Sequence, residues 1–188
     1  MSALASIILP AHNEARYLGD CLRAVFEGGM EECEVIVVAN GCTDQTAAVA
    51  HSFAAPTRAL KVIETPTGGK PHALRLGDAA ARHGTRIYLD ADVIVAPGLI
   101  RTLTDTLAEN APRYASGSPV VACATSAATR AYARFWQTLP FVNSGAPGFG
   151  LFAMNAAGRA RWGEWPDIIS DDTFARLHFA PAERVQLA

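Results

Sequence analysis

Two carboxylates one residue apart, Asp90 and Asp92, follow the short apolar run Ile87-Tyr88-Leu89. Carboxylates at that spacing can hold a hard divalent cation, and such a cation often bridges to substrate phosphates. The run reads as a buried strand entered after the stop signal Gly84. At the carboxyl end of a strand, the pair lies where open α/β sheets bind ligands. A solvated aspartate pair in a strand-to-helix loop is the alternative reading.

Other polar groups fall at equivalent places. Pro10-Ala11-His12-Asn13-Glu14 follows the first apolar run, Asn40-Gly41 the second, and Gly68-Gly69-Lys70 opens a helix. In a parallel sheet these ends converge on one crevice. The inventory suits a nucleotide diphosphate held by a metal and a cation. It does not suit a dinucleotide, because no G-x-G-x-x-G follows the first strand. It is not a P-loop, because Gly68-Gly69-Lys70 lacks the earlier glycine and the following Ser or Thr. A later acidic pair, Asp171-Asp172, follows Ser170. Ser170 can cap a helix there, and acidic residues suit a first turn, so capping competes with catalysis for this pair.

The elements that must position these groups alternate. Ser6–Leu9 is a buried strand ended by Pro10, and Leu18, Leu22, Val25 and Phe26 follow at helical spacing up to Gly28-Gly29. Glu34–Val38 is a second strand, and Thr43 can cap the next helix with Asp44 in its first turn. Leu60–Ile63 is a third strand, and Pro71 suits a first helical position before Ala73, Leu74 and Ala80. After the Asp90–Asp92 strand, Pro97 restarts a helix with Leu99, Ile100, Leu103 and Leu107 inward. This β-α repetition argues a mostly parallel sheet with helices on both faces, an α/β/α sandwich of Rossmann-like kind. The second half is less regular. Pro119–Ala122 reads as a strand, and Tyr132, Phe135, Trp136 and Leu139 as a packing face. Asn143–Gly150 is a glycine-rich loop before a strand at Leu151–Met154. Trp162–Trp165 is irregular, and a last helix should turn Phe174 and Leu177 inward.

Half of the 188 residues are hydrophobic and 18% are charged, the balance of a globular chain with a sizeable core. A net charge of −2 gives no general drive toward nucleic acid or an anionic membrane. No apolar run reaches the roughly 18 residues of a membrane span, and the N-terminus lacks a basic n-region, so no signal peptide is expected. The four cysteines, Cys21, Cys33, Cys42 and Cys123, show neither a C-x-x-C pair nor a histidine at zinc-finger spacing. They read as reduced thiols in a cytoplasmic protein.

Taken in order, Ser6–Glu14, Val35–Asp44, Gly69–Leu74, Asp90-Ala91-Asp92 and Ser170–Asp172 resemble the successive motifs of the family 2 glycosyltransferases. The resemblance covers nearly the whole chain. It implies a single GT-A domain over residues 1–188, with 1–109 as the nucleotide-sugar-binding half and 110–188 as the acceptor and catalytic-base half. It implies a nucleotide-diphosphate-sugar donor, an acceptor hydroxyl on a glycan, lipid-linked or small molecule, and Mg2+ or Mn2+ as cofactor. Pro10, Ala11, His12, Asn13 and Glu14 would line base and ribose, Asn40 would meet the base, and Lys70 the diphosphate. Asp90, with Ala91 between, would lie near ribose and metal, and Asp92 would ligate the metal. Asp172 matches the catalytic base, with Asp171 beside it where Glu is more usual. Asn40 stands where Asp is commoner, which leaves the base identity open. Only about sixteen residues follow Asp172, so the acceptor half reads as either truncated or minimal. His178 is a candidate late metal ligand or a packed helix histidine. The competing readings are an inactive nucleotide-sugar-binding homologue and an Asp-x-Asp phosphatase.

Overall fold

The computed structural model describes residues 4–28, 33–120, 135, 138 and 145–187. The strands are β1 (Ala5–Ala11), β2 (Glu34–Asn40), β3 (Leu60–Thr65), β4 (Thr85–Leu89), β5 (Tyr114–Gly117), β6 (Leu151–Met154) and β7 (Arg184–Leu187). The helices are α1 (Leu18–Glu27), α2 (Thr46–Ser52), α3 (Lys70–Ala80), α4 (Leu99–Thr106), α5 (Ala156–Arg159) and α6 (Asp171–Leu177). Together the strands form one sheet in the order β3-β2-β1-β4-β6-β5-β7. The block β3-β2-β1-β4 is parallel, as the alternating pattern requires. β6 runs antiparallel to both β4 and β5, and β7 is parallel to β5.

The strands alternate their side chains between two apolar layers, the period-2 consequence of a pleated backbone. Ile7, Leu9, Val35, Val37, Ile87 and Leu89 pack with Leu18, Leu22 and Val25 of α1 and with Ile100 and Leu103 of α4. On the other face Ile8, Tyr88, Phe152 and Met154 pack with Leu74 of α3, Ala175 of α6 and Trp165. Asp78 of α3 is clamped on that face. Its Oδ1 accepts from Arg86 Nε at 3.0 Å and Tyr88 Oη at 2.9 Å. Its Oδ2 accepts from Arg159 Nη2 at 2.9 Å and Trp165 Nε1 at 2.8 Å. At the amino ends of the strands, buried Glu34 accepts from Ser6 Oγ at 2.6 Å and from Arg82 Nε at 2.7 Å.

Several boundaries depart from the sequence expectations. Pro10 lies inside β1 and does not end it. The registered pairs with β4 stop at Ile8, so only β2 flanks β1 at Pro10 and the missing N–H costs no bond on the β4 side. Thr43 does not cap α2. The Asp44 carboxylate takes that place, accepting from the Thr46 amide at 2.9 Å. In the second half the strand after α4 is Tyr114–Gly117. Pro119 and Val120 lie beyond it, and residues 121–122 fall outside the described residues. Of the expected packing face, Phe135 is exposed, and Tyr132, Trp136 and Leu139 lie outside the described residues. Leu177 points outward, since the buried positions of α6 are Asp171 and Ala175.

Candidate active site

β1, β2 and β4 are parallel neighbours, so their carboxyl ends lie side by side. The reversal of β6 brings a fourth group to the same edge. Leu151, at the start of β6, pairs with Leu89 at the end of β4. The glycine loop before β6 therefore arrives beside Asp90, whose amide donates to the Gly150 carbonyl at 2.8 Å.

Lys70, at the start of α3, stands at the centre. Its Nζ is 2.7 Å from Asp90 Oδ1 and 3.1 Å from Asp171 Oδ1. Burial opposes the ammonium charge, but Asp90 and Asp171 outweigh it and the Lys70 pKa moves upward. The Asp171 side chain is only 6% exposed, and its Oδ2 is buried without a hydrogen-bond partner. Burial there outweighs Lys70, so the Asp171 pKa is raised.

Two cavities open on either side of the Lys70–Asp90 pair, which lines both. The first, about 240 Å³, is walled by Pro10, His12, Glu14, Asn40, Ala91 and Asp92 besides the pair. The second, about 210 Å³, lies under the glycine loop and reaches Ile169, Asp171 and Asp172. The structure thus gathers most of the sequence-predicted residues. Ala11 and Asn13 are not in the first wall. Ala11 is buried in β1, and its carbonyl accepts from Asn40 Nδ2 at 2.9 Å. Asn13 Oδ1 accepts from the Thr43 amide at 2.8 Å, tying the turn to the segment after β2. Asn40 is engaged at both ends of its amide, since its Oδ1 also accepts from the Gly69 amide at 2.9 Å. It holds the Gly69 turn, and so Lys70, against the end of β1. His12 Nδ1 lies 2.7 Å from the Asn40 carbonyl. His178 is the packed helix histidine of the two readings. Its Nδ1 lies 2.9 Å from the Phe174 carbonyl and its ring lies on Trp162 at 4.9 Å.

The glycine loop is under tight constraint. Gly148 has φ +81°, and a Cβ there would stand 2.2 Å from Tyr114 Oη and 3.5 Å from Asp172 Cβ. Gly150 has φ +67°, and a Cβ there would meet Val93 at 2.6 Å. Both conformations and both contacts demand glycine. The Tyr114 hydroxyl is buried without a partner beside this loop. No motif or periodicity marks that residue in the sequence, and it sits on the unanticipated β5. The Cys21 thiol lies beneath the site, 3.8 Å from the Asp90 carbonyl, and burial pushes its pKa up to about 12. It is a fully buried core group.

The first cavity is electronegative. Glu14 has a raised pKa, first through burial and then through Asp92, Asp44 and Asp90. Asp90, Asp92 and Glu14 offer the hard oxygen donors that suit Mg2+ or Mn2+, and Asp90 already faces a cationic group in Lys70. Among the described residues, no three His, Cys, Asp or Glu side chains gather closely enough to enclose a metal. The donor set therefore fits a cation that keeps water or phosphate ligands, not a closed protein cage.

A profile described as Glycosyl transferase family 2 matches residues 6–162. The chain belongs to this family. Among its relatives is the uncharacterized glycosyltransferase EpsJ of Bacillus subtilis, 30% identical over 111 residues, which are 58% of this chain and 32% of that protein. A 4,4'-diaponeurosporenoate glycosyltransferase of Staphylococcus aureus is 35% identical over 91 residues, 47% of this chain and 24% of that protein. These matches span about a third or less of the relatives' length. Among solved structures, the mannosyltransferase PcManGT of Pyrobaculum calidifontis, in complex with GDP-Man and Mn2+, superposes with a TM-score of 0.74 at 22% identity. The superposition covers 100% of this chain and 55% of that one. The fold of the family 2 chain described here is accordingly GT-A, as its motifs implied. No helix among its described residues is long and apolar enough to cross a membrane.

Proposed function

We propose that the chain transfers a sugar, with inversion, from a nucleotide-diphosphate-sugar to an acceptor hydroxyl. The observation that carries this reading is the Lys70–Asp90 pair, the common wall of two cavities with Asp172 lining the far one. The nucleotide would occupy the first cavity. Its diphosphate would lie at Lys70, and the sugar would reach under the glycine loop toward Asp172. Asp90 and Asp92 would hold Mg2+ or Mn2+, which when bound neutralises charge on the leaving diphosphate. The metal-bearing neighbour noted above supports this assignment by fold alone.

In the transfer, the Asp172 carboxylate takes the proton of the acceptor hydroxyl. The acceptor oxygen bonds to the anomeric carbon as the bond to the diphosphate breaks, and the electron pair leaves with the diphosphate. Lys70 stabilises that developing charge without transferring a proton. Asp172 suits the base better than Asp171, whose Oδ1 faces Lys70 and whose Oδ2 is buried. Much of the rate gain is positional, since base, acceptor and donor must be held together. Asn40 shapes the donor cavity by fixing Gly69, which leaves the nucleobase to be read by other groups. A cytoplasmic location belongs to the same proposal and is supported by the thiols of Cys21 and Cys42, which are not in disulfides.

The test is calorimetry with UDP, GDP and their sugars, with Mn2+ and with a chelator. One nucleotide should bind far more tightly with the metal. Equal affinity in both conditions, or binding that survives Asp92→Ala with its metal dependence intact, rejects the reading. Metal-dependent binding without hydrolysis or transfer would favour the inactive binding homologue.

A further inference from the structure

Lys70 is placed to do more than meet a diphosphate. Its ammonium is 2.7 Å from Asp90 Oδ1, the same carboxylate that the proposed metal site needs. A divalent cation and the ammonium cannot both sit on that oxygen without strong like-charge repulsion. The ammonium also has a second anchor, Asp171 Oδ1 at 3.1 Å, in the wall of the second cavity, whereas Asp92 lines the first. Asp171 belongs to α6, and Lys70 is fixed at the start of α3 by the Asn40–Gly69 bond. The lysine can therefore give up Asp90 without leaving the site, because Asp171 still holds it.

We infer that Lys70 and the divalent cation compete for Asp90, so that free metal binds poorly and metal arriving with a diphosphate binds well. A diphosphate offers the displaced ammonium new anionic oxygens between Asp90 and Asp171. Metal alone offers it nothing. The consequence is positive coupling between metal and nucleotide, built from one lysine and two carboxylates. By linkage the coupling is reciprocal for the two binding affinities. It also guards Asp90 and Asp171, two carboxylates from different elements, against facing each other uncompensated. This inference rests on the nucleotide-sugar reading of the crevice and assigns Lys70 a gating role within it.

The experiment measures Mn2+ alone, and the Mn2+ complex of UDP or GDP, by calorimetry against wild type and Lys70→Met. Methionine keeps the stem and removes the charge. Lys70→Gln is the second variant, and melting curves confirm that each variant is folded. Mn2+ alone should bind the variants more tightly, by at least about fivefold, the factor for unit charges about 4 Å apart even in bulk water. The Mn2+–nucleotide complex should bind them more weakly by a similar factor. Asp92→Ala should abolish the Mn2+-alone signal, which locates it at this site. A folded Lys70 variant whose Mn2+-alone affinity is unchanged or lower overturns the inference, while metal-dependent nucleotide binding by wild type keeps the functional reading. Absence of any nucleotide binding by wild type overturns both.

Discussion

The Asp90 amide donates to the Gly150 carbonyl across 2.8 Å, joining the end of β4 to the last residue before β6. The bond couples the proposed metal carboxylates to the glycine loop over the second cavity. It also makes the loop's shape a requirement of the site.

Gly150→Ala should therefore cost both stability and turnover. Its φ of +67° would force an alanine into the left-handed region, at about 1–2 kcal/mol. The new methyl must also displace Val93 Cγ2, now 2.6 Å from where it would sit. Urea unfolding should show a lowered midpoint with unchanged slope. Wild-type stability in this variant would mean the loop adapts freely.

Asn40→Asp brings in the residue that the motif resemblance leads one to expect, yet it should destabilise this chain. A carboxylate can still accept from Gly69 but cannot donate to the Ala11 carbonyl, and it is buried beside that oxygen. Loss of one partner at a buried polar group costs about 1–3 kcal/mol. Nucleotide affinity should fall with it, because the Gly69 turn presents Lys70. If stability holds while nucleobase preference changes, Asn40 reads the base after all.

Glu34 sets an acid limit. Burial works against its charge, but hydrogen bonds from Ser6 and Arg82 outweigh burial and its pKa is lowered on folding. The unfolded chain thus holds that proton more tightly. The contribution of Glu34 is complete above its unfolded value of about 4.3 and is lost as pH falls through the lower folded value. Stability measured from pH 6 to pH 3 should decline less steeply in Glu34→Gln, from a lower starting point. Parallel curves would assign the acid loss to other carboxylates.

Asp172→Asn should stay folded, bind donor nearly as wild type, and lose transfer by about 10²–10⁴. Asp171→Asn is the control at the neighbouring position, where the carboxylate faces Lys70. A rate loss confined to Asp171→Asn would reassign the base. Slow hydrolysis of the nucleotide-sugar serves as readout, with water in place of the acceptor.

The first half of the chain was legible because strands buried on both faces are written as unbroken apolar runs, as at Ile7–Leu9 and Val35–Val38. The second half was not. β5 and β7 are four residues each, and β7 is only partly buried, so neither carries a distinctive pattern. Leu177 reads as inward from sequence because hydrophobicity usually marks the buried stripe. On α6 a paired carboxylate, Asp171, takes that stripe instead. The place of Asn40 was readable but its bonding was not, since Ala11 and Gly69 are each 29 residues away.

Asp78 also divides the chain by time of synthesis. Its Oδ1 is filled by Arg86 and Tyr88, which leave the ribosome soon after it. Its Oδ2 is filled by Arg159 and Trp165, some eighty residues later. A domain folds as a unit, so the parallel block β3-β2-β1-β4 leaves half of this carboxylate to water until the later segment has been made. Only when Arg159 and Trp165 dock does that oxygen gain protein partners, and the same segment leads directly into the helix that bears Asp172. The segment that completes the Asp78 clamp thus also carries the proposed base.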